Sequence, residues 1–276
     1  MKYGLGMDRE KERTVRPIRL SKRLQALADM VTPGNVVADV GCDHGFLSIY
    51  LLEQGIAPKA IATDVRKGPL SAARAHVEER GLSEYIETRL SDGLSGYRAG
   101  EALTMVCAGM GGKLMQSILL QNKDVTLGFE ELILQPQSEL EQFRIFLREQ
   151  GFAVMDENIL CEDGKYYFLF RVKPTQKTAA IGAAVGDIMG SADGTEQVAA
   201  ETLVRLGDKY GAGLLAGKHP VLRDYLEKCL AECKAVREQL LSHRGEAGSN
   251  ERIERSLAEN EAEMTDLQEA LALYGE

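Results

Sequence analysis

Val36-Val37-Ala38-Asp39-Val40-Gly41-Cys42-Asp43-His44-Gly45 decides how the rest of this chain is read. An apolar run carrying one acid leads into two glycines four apart. Phe46-Leu47-Ser48-Ile49-Tyr50-Leu51-Leu52 follows at once. The pattern is strand, tight loop, helix. Glycine lets a backbone come within contact distance of a ligand, and a helix start offers free N–H donors. Asp39 and Asp43 would repel a pyrophosphate but favour an ammonium or a sulfonium group. The loop therefore suits S-adenosyl-L-methionine better than a dinucleotide. A bare strand-to-helix turn shares the local pattern, so the inference leans on what comes next.

Downstream, the same unit repeats. Lys59-Ala60-Ile61-Ala62-Thr63-Asp64 reads as a second strand ending in an acid, about 20 residues past the glycine loop, where a carboxylate can accept both ribose hydroxyls. Capping of the next helix is the competing role. Residues 68–80 read as a helix, and Tyr85 to Leu90 alternates as a third strand running into Ser91-Asp92-Gly93. There Asp92 is placed to accept from an adenine amino group or to make an Asx turn. Leu103 to Ala108 is a wholly apolar fourth strand, as buried parallel strands are. Gly109-Met110-Gly111-Gly112 follows it, leaving room for a flat base or for close helix packing. Ligands of open α/β sheets sit at the carboxyl ends of the strands, so the two glycine loops are expected side by side. Glu131 to Gln135 is a fifth strand. Ser138, with Glu141 three residues on, is expected to form a capping box for a helix to about Gln150. Two strand-like runs, Phe152 to Leu160 and Lys165 to Val172, are joined by Glu162-Asp163-Gly164, a hairpin signal. Five β/α units closed by a terminal hairpin distinguish a Rossmann-like methyltransferase sheet of seven mostly parallel strands from a plain dinucleotide fold.

The flanks differ in character. Residues 1–30 carry eight Lys or Arg against four Asp or Glu, whereas the whole chain has a net charge of −9. A net acidic protein is an unpromising nucleic-acid binder except through a local basic surface. The candidates are Arg19, Lys22 and Arg23, on one side of a helix whose apolar stripe is Leu20, Leu24, Leu27 and Met30. We expect three regions: a flexible basic segment over 1–19, the methyltransferase domain over 20–174, and a linker plus helical domain over 175–276. In the last, Leu222, Leu226, Cys229, Cys233, Val236 and Leu240 are spaced four and three apart, as are Ile253, Leu257, Asn260, Met264, Leu267 and Leu271. That spacing predicts an antiparallel coiled-coil hairpin, with Asn260 setting register.

Several chemistries are disfavoured. Five cysteines without metal spacing indicate a reducing cytoplasm and no metal site. No run approaches the roughly 20 apolar residues of a membrane helix, and no signal peptide is evident. Methylating a pyrimidine carbon needs a cysteine nucleophile, and neither Cys42 nor Cys107 is well placed for it. The loop after the fourth strand is not the Asn-Pro-Pro-Tyr type of exocyclic-amine enzymes. A ring nitrogen such as adenine N1 needs only a pocket that tolerates the charge formed, which Asp43 and Asp92 would stabilise.

Leu20-Ser21-Lys22-Arg23-Leu24, Ala38 to His44, Gly109-Met110-Gly111-Gly112, Leu132 to Gln137 and Glu162-Asp163-Gly164-Lys165-Tyr166, in that order, resemble the bacterial TrmK family. Its members are tRNA (adenine-N1)-methyltransferases acting on position 22, in the D-arm. The resemblance implies a class I methyltransferase domain followed by a helical domain, with tRNA as partner; we expect a monomer or weak dimer as the working form. It implies that Asp39, Gly41, Asp43, Gly45, Asp64, Asp92 and Gly93 bind the cofactor; Glu also occurs where Asp64 stands. Cys42, His44, Val65, Gly109 and Met110 belong to the same loops and complete the expected cofactor set. Arg19, Lys22, Arg23, Gly111, Gly112 and Gln135 form the expected substrate set.

Overall fold

The computed structural model describes residues 17–175, 194–243 and 250–275. Most of the expected N-terminal segment, most of the linker and the turn of the C-terminal hairpin lie outside these residues. Seven strands form one sheet in the order β3-β2-β1-β4-β5-β7-β6. They are β1 Val37–Val40, β2 Ala60–Asp64, β3 Ile86–Leu90, β4 Thr104–Met110, β5 Glu131–Pro136, β6 Phe152–Glu162 and β7 Lys165–Pro174. β1 to β5 are parallel, while β7 runs antiparallel to both β5 and β6. β1 pairs with both β2 and β4, so the chain reverses its direction of travel across the sheet at β1. The crevice above the carboxyl ends opens there.

Side-chain alternation divides the core into two layers. Val37, Val106 and Ile133 face a layer built with helices α1 Lys22–Met30, α2 Phe46–Glu53 and α3 Lys67–Glu79. Ala38, Val40, Met105, Cys107, Leu132 and Leu134 face the other, with α4 Gly112–Gln121, α5 Lys123–Leu127 and α6 Leu140–Glu149. β1, β2 and β5 are covered on both faces and buried throughout, which explains their near-continuous apolar runs, broken by the buried polar residues Asp39, Thr63, Asp64, Glu131 and Gln135.

The C-terminal helices α7 Gly194–Tyr210, α8 Ala212–Ala216, α9 Pro220–Ser242 and α10 Asn250–Ala272 extend this second layer. α9 and α10 run antiparallel: Arg237 pairs with Glu261 at 3.3 Å, and Tyr274 donates to the carbonyl of His219 at 3.1 Å. Leu222, Leu226 and Leu267 belong to the same core as the sheet, so the pair is docked, not free-standing. Helix α7 was not foreseen; its early turns follow a Gly- and Ala-rich run that reads as linker.

Arg144 fastens the helical region to the sheet. It is 6 % exposed and lies between the rings of Phe168 and Phe170, 5.2 Å from each. It donates to Glu157 Oε1 from Nε and Nη2, at 2.9 and 2.5 Å. Its Nη1 donates to the carbonyls of Asp208 and Lys209 at 3.1 and 2.7 Å, capping the last turn of α7. A cation at a helix C-terminus satisfies orphan carbonyls and favours the dipole.

The expected capping box at Ser138 does not form. Helix α6 starts one residue later, after Glu139 at φ 55°, with no side-chain cap. The Ser138 hydroxyl instead accepts from the amide of Gly112 and donates to Glu139 Oε2. A long-range partner at the start of α4 outcompetes the local cap.

Candidate active site

One cavity of about 560 Å³ opens above the carboxyl ends of the parallel strands, and it draws residues from β1, β2, β3 and β4 and from the turn after β5. That size suits a ligand of several hundred daltons.

At the end of β1, Asp39 is 5 % exposed and accepts from the Ser48 hydroxyl at 2.6 Å. Burial pushes its carboxyl up to about 6, against the Ser48 hydrogen bonds, and the Asp64 charge adds to the rise. The loop beyond it is anchored from below, with the amides of Gly41 and Cys42 both donating to the carbonyl of Thr63 at 2.8 Å. Gly41 has φ 78°, and a Cβ there would run into the methyl of Met110. The two glycine loops thus touch, as expected. Asp43 also sits at positive φ, 52°. Gly45 turns the chain into α2 at φ 73° and rests against Ala73; it does not line the cavity.

At the end of β2, Asp64 is 4 % exposed, and both of its hydrogen bonds, from the Arg66 amide and from Arg66 Nε, fall on Oδ1. Oδ2 is left for a guest. Val65 and Leu114 line the same cavity and stay 60 % and 54 % exposed. Two exposed aliphatic side chains beside a carboxylate with a free oxygen suit a flat, apolar ring joined to a diol.

At the end of β3, Gln121 grips the loop from both sides: its Nε2 donates to the carbonyl of Asp92 at 3.1 Å, and its Oε1 accepts from the Leu94 amide at 2.8 Å. Ser91 accepts from the Gly96 amide and donates to the carbonyl of Gly93. These contacts hold Asp92 and Gly93 on the cavity wall. Beneath, Tyr97 donates to Ile61 O and Thr63 Oγ1 at 3.0 and 3.1 Å, bracing the strand that carries Asp64. None of Ser48, Tyr97 and Gln121 carries a motif, so sequence reading passes over them.

Arg23 and Gln137 line the cavity at its β5 end. Gln135, expected to face a substrate, is fully buried and lies beneath the cavity. Its Oε1 accepts from Arg23 Nη1 at 3.0 Å and from the Gly109 amide at 3.2 Å, and its Nε2 donates to Pro136 O. By strand alternation Gln135 shares the face of Ile133, toward α1, which brings it under Arg23. Gln135 therefore braces the Gly109 loop and Arg23, whose guanidinium also lies 5.6 Å from the centre of the Tyr167 ring. Gly111 and Gly112 do not line the cavity; they admit the Ser138 turn against α4. Arg19 and Lys22 are exposed and off the cavity wall, and the Lys22 amide donates to Glu162 Oε1 at 2.6 Å.

The thiols are inert. Burial pushes Cys42 up strongly and Cys107 up to about 12, so neither supplies a thiolate near neutrality. His44 lines the cavity, 48 % exposed, with its ring 5.7 Å from that of Phe46. Among the described residues, no group of three or more His, Cys, Asp or Glu could hold a metal ion.

Comparison with known proteins agrees with this geometry. A family profile described as a methyltransferase domain matches residues 20–170. The strand order, the acid-tipped parallel strands and that match define a methyltransferase of the Rossmann-like class. The tRNA (adenine(22)-N(1))-methyltransferase of Bacillus subtilis is 39 % identical over 176 residues, 63 % of this chain and 74 % of that protein. The crystal structure of the B. subtilis m1A22 tRNA methyltransferase TrmK superposes with a TM-score of 0.73 at 32 % identity, covering 92 % of this chain and 99 % of that one. A Streptococcus pneumoniae protein, Sp1610, described as a putative tRNA (m1A22) methyltransferase and solved with S-adenosyl-L-methionine, gives 0.71 at 28 %, covering 92 % and 100 %. The chain belongs to the TrmK family.

Proposed function

We propose that this protein transfers a methyl group from S-adenosyl-L-methionine to N1 of adenosine 22 in tRNA. The observation that carries the choice of substrate is the likeness to the B. subtilis enzyme. It runs through the helical region as well as the methyltransferase domain, over 92 % of this chain.

When bound, the cofactor supplies a methyl group activated by a positively charged sulfur. The residues at the cavity fit it. Asp64 takes the ribose hydroxyls through its free Oδ2, Asp92 with Gly93 takes the adenine amine, and Val65 and Leu114 cover the ring faces. Asp39, buried on the cavity wall, takes the amino group of the methionine end. Four carboxylates, those of Asp39, Asp43, Asp64 and Asp92, offset the cation. Asp43 and Asp92 both line this cavity, and these two acids stabilise the charge formed on the acceptor.

Target N1 is hidden in paired RNA, so the base must leave its stack to enter the cavity. Its N1 lone pair takes the methyl, the positive charge passes from sulfur to the purine, and no proton moves. Positioning is therefore the main catalytic task. Arg23, a cation on the β5 side of the cavity, meets the phosphate of the flipped nucleotide; Arg19 and Lys22 add outer contacts that weaken with salt. All five cysteines are unpaired, the state a reducing cytoplasm maintains, and we place the protein there.

Incubation with unmodified tRNA and labelled cofactor, followed by nucleoside mass spectrometry, tests the reading. The expected product is 1-methyladenosine confined to position 22. Absence of label in any tRNA under conditions where the cofactor binds refutes it.

A further inference from the structure

We propose that Gln137 reads the Hoogsteen edge of the target adenine, and so sets both the choice of base and the aim of N1. This rests on the proposed adenine-N1 reaction and goes beyond it by naming the side chain that selects the base.

Strand order supplies the first part of the argument. The acids suited to the cofactor lie at the ends of β1, β2 and β3, and Gly109 and Met110 lie over β4. Only the β5 side of the same cavity is left for an acceptor, and Gln137 lines it. The Gln137 amide N–H donates to Met110 O at 2.8 Å, which ties this residue to the second glycine loop. A Cβ placed on Gly109 would lie 3.7 Å from Gln137 Nε2 and 3.8 Å from Arg23 Nη1. The absence of a side chain at Gly109 thus opens a gap flanked by one neutral amide and one cation.

Chemistry supplies the second part. The exposed Gln137 side chain has no hydrogen-bond partner among the described residues, whereas both ends of the Gln135 amide are engaged. A carboxamide presents one acceptor and one donor side by side. Adenine presents the complement, the N6 amine and N7, and the pair is the standard bidentate match. Guanine offers two acceptors on that edge, O6 and N7, and leaves the carboxamide oxygen facing one of them. Gripping N6 and N7 leaves N1 unblocked. As charge passes to the purine, the N6 amine becomes a better donor. Its bond to Gln137 Oε1 therefore strengthens toward the transition state, the condition for raising the rate of chemistry. Arg23 cannot take this part, because it has donors only and Nη1 is committed to Gln135.

The test uses the full chain, tRNA with adenosine or 7-deazaadenosine at position 22, and single-turnover rates for wild type, Q137A and Q137N. S-adenosylhomocysteine affinity by calorimetry reports whether each variant keeps its cofactor site. The expected result is a loss of about 5- to 150-fold for Q137A on normal tRNA, the range of one bidentate base contact, with cofactor affinity unchanged and partial recovery in Q137N. Removing N7 should slow wild type but not Q137A, which itself reports the intrinsic effect of the atom change. Such non-additivity marks a direct contact. An active wild type whose 7-deaza penalty persists in Q137A overturns the assignment alone. A wild type that forms no 1-methyladenosine overturns the proposed reaction and this assignment with it.

Discussion

Replacing Asp39 with Asn should stabilise the cofactor-free protein while weakening its hold on the cofactor. Burial raises the Asp39 carboxyl from 3.8 to about 6. That difference amounts to about 3 kcal/mol held against the charged form. Because the folded value lies above the unfolded one, the favourable contribution is complete below about pH 4 and is lost as pH rises through about 6. An Asn cannot ionise and still accepts from Ser48, whose hydroxyl lies 2.6 Å from the carboxylate. D39N should therefore exceed wild type by up to about 3 kcal/mol at pH 8, roughly 6–12 °C in Tm for a domain of this size, and match it near pH 4. Thermal melts across that range, without cofactor, measure this. Binding should move the opposite way. An ammonium group needs the carboxylate ionised, so wild-type affinity for S-adenosylhomocysteine should fall about tenfold from pH 7 to pH 5, while D39N binds weakly at both. A D39N protein less stable than wild type at pH 8, or a wild-type affinity indifferent to pH, would refute the reasoning.

Four further single substitutions probe the scaffold. Gly41→Ala places a side chain at φ 78° and into Met110; calorimetry should show at least a tenfold loss of cofactor affinity, whereas Gly55→Ala, at φ 66° in open space, should cost about 1 kcal/mol of stability and leave binding intact. Gln121→Ala strips the partners from Asp92 O and Leu94 N. At about 1 kcal/mol or more for such a loss, cofactor affinity should drop about five- to tenfold in a folded protein. Arg144→Met leaves Glu157, 4 % exposed, without its cation and uncaps α7, so denaturant melts should show a loss of about 3–5 kcal/mol, most of it recovered in R144M/E157L.

Much of this protein is legible because its signals are local. β1, β2, β4 and β5 are mainly apolar runs and β3 alternates, the first four strands each lead into an acid or a glycine, and the positive-φ positions Gly41, Gly93 and Gly109 fall where only glycine is comfortable. The hairpin at Glu162-Asp163-Gly164 and the paired C-terminal helices follow from turn chemistry and from four-three spacing in the same way. Helix α7 escaped because its opening composition resembles a linker, and its stability comes from the Arg144 cap and the shared core.

The residue sequence by itself determined the succession of the seven strands, the position of the cofactor loops and the chemical class, since each depends on neighbours within about one turn or strand. Only the tertiary structure decided that Gln135 is a buried brace while Gln137 faces the cavity, that Ser138 serves α4 and not its own helix, and that Asp39 is buried deeply enough to resist ionising. Each of these turns on a partner 9 to 112 residues away in the chain, and no short-range pattern encodes which of two competing partners a polar group will meet once the core has closed.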